Sequence, residues 1–180
     1  MEEEEFHRML PDAVSCIVIL KTPDAPERLL LTREYRYPLG RFVLSIPAGL
    51  LDREDRETAC PQITAAIREI REETGLELGP GDRVELAQPL LFSTPGMTDE
   101  SNALVCAVAE RENLSFLDQS GAVGGELFDG FLLVTKEEAR ELLHRGKDST
   151  GRWYSMFTWA ALMWFVSGMW EQRAEIERRR

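Results

Sequence analysis

The sequence predicts an α/β/α sandwich, a mixed β-sheet carrying helices on both faces. Three observations point there: short β-rich runs alternate with amphipathic helical segments, no repeat or linker interrupts the 180 residues, and the composition is that of an ordinary globular protein. That length suits one domain, 1–180, with chain enough for a substantial core. Residues 1–10 begin with four glutamates after Met1, so they read as a frayed start and not as a signal peptide, which would be basic and then apolar. Strands are expected over 14–20, over 28–37 after the turn marked by Pro23 and Pro26, and over 42–46. A helix over 61–74 tolerates Pro61 in its first turn and stops at Gly75, which supplies the left-handed residue. Strands over 84–92 and 103–109 flank a loop at 93–102, and the glycine-rich link 121–125 leads into a strand over 127–134. Thr135 and Glu138 make a capping box for a helix over 136–144 with Gly146 as its stop. Residues 150–171 are expected as a long aromatic C-terminal helix.

Charge narrows the function. A formal net charge of −11 argues against binding nucleic acid, which needs a basic surface, and means that a phosphate-bearing substrate must be met by metal ions and a few placed arginines. The three cysteines, Cys16, Cys60 and Cys106, have no metal-ligand spacing and cannot all pair, so a reducing cytoplasm is the simplest setting.

The most informative run is Arg68-Glu69-Ile70-Arg71-Glu72-Glu73-Thr74-Gly75-Leu76. At helical spacing Glu69 and Glu73 are one turn apart with Glu72 beside them, and Arg68 can pair with Glu72. Three carboxylates so close repel unless a hard cation lies between them, and all-oxygen ligands suit Mg²⁺ or Mn²⁺ better than zinc. Ile63, Ala66, Ile67 and Ile70 follow the apolar period, which puts the glutamates at the rim of the core.

With the upstream run Ile46-Pro47-Ala48-Gly49-Leu50-Leu51-Asp52, this arrangement resembles the Nudix hydrolase signature: Gly, five residues, Glu, seven residues, then Arg-Glu-apolar-any-Glu-Glu-any-Gly-apolar. The second half is matched at every constrained position. The first half departs from it, because Gly49 to Arg68 is five residues longer than the pattern and the position separated from Arg68 by seven residues is Cys60; Glu57 is the nearest substitute. Glu34-Tyr35-Arg36-Tyr37-Pro38 and Ser93-Thr94-Pro95-Gly96-Met97-Thr98-Asp99-Glu100 resemble the "QYR" and "SPG...E" segments of the ADP-ribose pyrophosphatase branch, with Ser45 where the branch's "ELPAG" turn has Glu.

The resemblance implies a magnesium-dependent hydrolase, with manganese as a substitute, that cleaves the pyrophosphate bond of a nucleoside diphosphate-sugar. ADP-ribose giving AMP and ribose 5-phosphate is the favoured case. It implies Glu69, Glu72, Glu73 and the carbonyl of Ala48 as metal ligands. Glu100 is the implied general base, with Glu72 and Arg68 completing the catalytic set, and Arg36, Gly49, Pro95 and Gly96 lie against the substrate. A nucleoside triphosphate or dinucleotide pyrophosphatase and a non-catalytic Nudix ligand sensor are the alternatives.

Residues 153–170 carry no formal charge and would span about 27 Å as a helix, the short limit for a bilayer. A packed helix is favoured over membrane insertion, with Trp153, Phe157, Ala160 and Trp164 on one face and Met156, Met163 and Trp170 on the next. Apolar surface so broad predicts a homodimer contact or a pocket wall. The terminal arginines read as a solvated tail.

Overall fold

The computed structural model describes residues 3–122 and 126–171. The end of the glycine-rich link, 123–125, and the arginine tail within 172–180 lie outside the described residues.

Val14, Cys16, Val18 and Leu20 point to one side of strand β1 (Ala13–Thr22), and Ile17 and Ile19 to the other, so the strand that anchors the sheet is apolar on both faces. Its neighbours are β2 (Ala25–Arg36), β3 (Arg41–Ser45), β4 (Ala48–Leu50), β5 (Arg83–Phe92), β6 (Ser101–Glu110) and β7 (Phe128–Val134), which form a seven-stranded sheet of order β3-β2-β1-β6-β5, with β4 also on β1 and β7 also on β2. β1 and β6 are parallel and the other pairs antiparallel, so the sheet is mixed as expected. One pairing matters most for function. β1 holds β4 at Ala13–Ser15 but β2 only from Val18 onward, so β2 and β4 diverge and leave a fork beside β1.

The helices are α1 (Glu3–His7), α2 (Arg53–Arg56), α3 (Pro61–Thr74), α4 (Lys136–Arg145) and α5 (Met156–Ser167). Ala65, Ala66 and Ile70 of α3 pack on the Val14 face of the sheet, while Ala139 and Leu142 of α4 and Ala161, Leu162 and Phe165 of α5 pack on the Ile17 face. This is the α/β/α sandwich that the sequence predicts. α3 has the predicted ends, and Gly75 closes it at φ 73°. Its buried stripe includes Ala65, whereas Ile67, expected inside, is exposed.

Two expectations are corrected at the ends of the chain. Part of the frayed start is the short helix α1. The C-terminal helix is not the long 150–171 element but the 12-residue α5. Trp153 and Tyr154 stay extended because the Leu44 N–H donates to the Trp153 carbonyl at 2.8 Å and Tyr154 bridges Leu44. Ser155 then caps the helix by accepting from the Thr158 N–H at 3.2 Å, and Gly168 at φ 72° ends it. The buried face is Thr158, Ala161, Leu162 and Phe165 with Trp164, so the predicted face is rotated: Trp153, Met156 and Met163 are exposed, whereas Trp170 folds back and donates from Nε1 to the Phe165 carbonyl at 3.2 Å. Among the described residues no helix is long and apolar enough to cross a membrane.

Candidate functional site

The fork beside β1 opens into a cleft of ≈ 380 Å³. Ala13 and Ser15 of β1 form its floor, Glu34 and Arg36 of β2 with Ser45 of β3 one wall, and Ala48, Gly49 and Leu50 of β4 the other. Glu100 and Asn102, Glu126, and Ser155 with Phe157 close its ends. A larger hollow of ≈ 520 Å³ lies around Lys21, Ala25 and Arg111. Its guanidinium is already engaged, with Arg111 2.7 Å from Asp82, and its glutamates Glu27, Glu110 and Glu112 lie away from α3.

α3 stands against the β4 wall. The Ala48 N–H donates to Oε1 of Glu73 at 3.2 Å. A Cβ at position 49 would fall 1.9 Å from Oε1 of Glu69, so any side chain there would displace that carboxylate. The glycine of the signature thus provides the room in which a ligand residue sits. Glu69 and Glu73 are buried and Glu72 half-buried.

Arg68 fastens the approach to this helix. Its guanidinium lies 2.6 Å from Glu69, 2.8 Å from Asp55, 3.4 Å from Glu72 and 3.5 Å from Asp52, and Nη2 donates to the Leu50 carbonyl at 3.0 Å. Burial opposes its charge, but hydrogen bonding to Asp55 and the Glu69 carboxylate outweigh burial and raise its pKa. This makes Arg68 a clasp between the loop and the helix. The substitute acid expected at Glu57 is corrected: Glu57 is exposed and pairs with Arg53, whereas Asp55 is buried and also accepts from the Asp52 N–H at 2.9 Å. Counted forward from Gly49, Asp55 occupies the acid position of the signature, and the five extra residues fall between Asp55 and Arg68. That spacing was the available signal, and counting back from Arg68 missed it.

The site is overloaded with negative charge. Burial pushes the Glu73 carboxyl up to about 9 against the opposing Ala48 N–H, and Glu126, Glu34 and Glu69 push it further the same way. Glu69 is raised by burial, opposed by Arg68 and reinforced by Glu72 and Glu126. Glu126, which sequence reasoning missed, is raised by burial and by Glu34, opposed by Arg36, and reinforced by Glu72. It reaches the cleft through the chain's return into β7, a tertiary proximity without a local signal. The donors are all hard oxygens, with Glu69 and Glu73 buried and Glu72 half-buried, so they fit a hard divalent cation. As the side chains stand, no three His, Cys, Asp or Glu among the described residues form a ready metal-binding group. The reason is visible: Glu69 turns to Arg68, and Glu73 to the Ala48 amide.

Of the remaining predicted residues, Arg36, Gly49 and Glu100 line the cleft. Ser93 Oγ donates to Glu100 at 3.2 Å, tying the two ends of the loop between β5 and β6. Pro95 and Gly96 are not brought to the cleft. Pro95 borders a separate hollow with Phe6, Phe92, Thr98 and Asp99, and Gly96 faces open space.

Comparison with known proteins agrees with this architecture. The chain is 44% identical over 77 residues to "Putative nudix hydrolase 2" of Caenorhabditis elegans, covering 43% of this chain and 31% of that protein. It is 34% identical over 96 residues to an ADP-ribose pyrophosphatase of Saccharomyces cerevisiae, covering 52% and 37%. The chain therefore spans about a third of the length of these two curated relatives. In fold it resembles the crystal structure of a NUDIX hydrolase from Alicyclobacillus acidocaldarius, with a TM-score of 0.60 at 14% identity over 88% of this chain and 92% of that one. The NUDIX domain model matches residues 9–157, a stretch that runs from the start of β1 through the clasped α3 to the cleft wall at Phe157, and on that match this chain belongs to the Nudix family.

Proposed function

We propose that the chain is a magnesium-dependent hydrolase of the pyrophosphate bond in a nucleoside diphosphate-sugar, with ADP-ribose, cleaved to AMP and ribose 5-phosphate, as its substrate. The observation that carries this reading is the buried pair Glu69 and Glu73 on α3, set directly behind the Ala48–Gly49 wall of a cleft whose other wall presents Arg36. Glu69, Glu72, Glu73 and the carbonyl of Ala48 would hold the metal, with manganese as a substitute. When bound it would neutralise the diphosphate and acidify a water.

The chain's own residues do the rest. Arg36 presents a fork of donors to a phosphate oxygen. Water attacks one phosphorus, the bond from that phosphorus to the bridging oxygen breaks, and the departing phosphate keeps the electron pair. The water's proton passes to a carboxylate. Glu100 and Glu126 both line the cleft and neither lies on α3. The raised proton affinity of Glu126 suits it to accept, so it joins Glu100 as candidate base. Arg68 serves this chemistry by holding Glu69 and Glu72 in place. A homodimer paired through the outward face of α5 completes the proposal. A reducing cytoplasm suits its three free cysteines.

The test is incubation with Mg²⁺ and ADP-ribose, ADP-glucose, GDP-mannose, NADH and nucleoside triphosphates, with products followed by chromatography. AMP and ribose 5-phosphate from ADP-ribose are expected, and Glu73→Gln should reduce kcat by about 10²-fold or more while the circular dichroism spectrum is unchanged. Failure to turn over any of these substrates removes the enzyme reading. An undiminished rate in the variant removes the metal assignment.

A further inference from the structure

Glu34 is a half-buried acid placed where acid is already in excess. It adds to the repulsion felt by both Glu73 and Glu126, so its own contribution to the α3 carboxylates is unfavourable. What it gains is Arg36. The two residues are two apart on β2 and so face the same way. Nη2 of Arg36 lies 2.7 Å from Oε2 of Glu34, whose side chain is 12% exposed against 47% for the arginine. Nη2 also reaches Ser45 Oγ on β3 at 3.5 Å, and among the described residues these are the hydrogen-bonding and ion-pair contacts of the guanidinium. A half-exposed arginine on a flexible stem, facing Glu126 across the same cleft, has an alternative: it can swing onto the carboxylates that a cation would need.

We propose that Glu34 is a positioning residue, which holds the Arg36 guanidinium on the Ser45 wall of the cleft, ready for a substrate phosphate, and keeps it from collapsing onto Glu126 and Glu73. The inference rests on the hydrolase reading above. It makes Glu34 act on substrate binding only through Arg36, with the chemistry at phosphorus left to other groups. Because Ser45 is within reach of the same guanidinium, a carboxylate placed at 45 can take over part of the task from the neighbouring strand.

The test is a double-mutant cycle on ADP-ribose hydrolysis with Mg²⁺, using Glu34→Gln, Arg36→Ala and the pair. Glu34→Gln is expected to raise KM about tenfold with kcat changed by less than about threefold, to raise the Mg²⁺ concentration needed for half-maximal rate, and to add nothing to KM once Arg36 is alanine. An unchanged KM, a fall in kcat without a rise in KM, or losses that multiply in the double variant would each overturn the assignment. If Glu34→Gln does not fold, Glu34→Gln with Ser45→Glu takes its place. A KM below that of Arg36→Ala then supports the role, and a KM equal to it overturns it. Wild-type protein that fails to hydrolyse ADP-ribose removes the hydrolase reading and this inference together. Wild-type turnover with multiplying losses removes the inference alone.

Discussion

Glu73 shows how much one residue's surroundings decide. It is 3% exposed, receives one N–H from Ala48, and has a carboxyl pushed up to about 9 by burial. A carboxylate whose pKa is higher in the folded than in the unfolded chain binds its proton more tightly when folded. Its contribution to stability is therefore fully present below the unfolded value near 4.5 and is lost as pH rises through about 9. In the presence of a chelator, thermal melts should show Tm falling between pH 5 and pH 9. Glu73→Gln, neutral throughout, should flatten most of that fall, and a slope unchanged in the variant would place the effect on other groups. Added Mg²⁺ should oppose the fall, since a cation favours the ionised form.

At the scale of elements, the loop feeding α3 tests whether Asp55 holds the signature's acid position. Asp55 is buried between Arg68 and the Asp52 N–H, whereas Glu57 pairs with Arg53 at the surface. Asp55→Ala should cost about 2 kcal/mol in urea unfolding, the scale of a lost hydrogen bond to a charged group, since Arg68 keeps Glu69 and Glu72 as partners. Glu57→Ala should cost less than about 0.5 kcal/mol. Equal losses would return the acid position to Glu57. α3 itself was legible because period, first-turn proline and glycine stop all agree locally. β4 was not: three residues make no pattern, and β1 decides that Ala48 to Leu50 is a strand. α5 was misread at both ends for a related reason. Residues 153–170 are uniformly apolar, so composition gave no boundary, and the boundaries come from the bridge to Leu44, the Ser155 cap and the turn at Gly168.

On the scale of the whole molecule, the layers could be read from alternating strands and helices, but the convergence of β2, β4 and the Glu126 segment on one cleft, with α3 behind β4, could not, because the fork beside β1 is a property of pairing. The same folding leaves α5 with two unlike sides. Ala161, Leu162 and Phe165 are buried on the sheet, while Met156, Trp159 and Met163 form an outward stripe at helical spacing with exposures of 52%, 48% and 41%. An exposed apolar row on a packed helix is what a twofold contact uses, since the same stripe on a second copy can lie against it. The proposed homodimer therefore places its contact here, beside the cleft, because Met156 lies between Ser155 and Phe157 of the cleft wall. Sedimentation equilibrium should give a dimer for the wild type. Trp159→Glu, which puts a charge into the stripe without touching the buried face, should give a folded monomer with a dissociation constant raised at least about 100-fold, the effect expected on desolvating an unpaired charge. A wild type that stays monomeric at every concentration, or a Trp159→Glu variant that stays dimeric, would remove α5 as the contact.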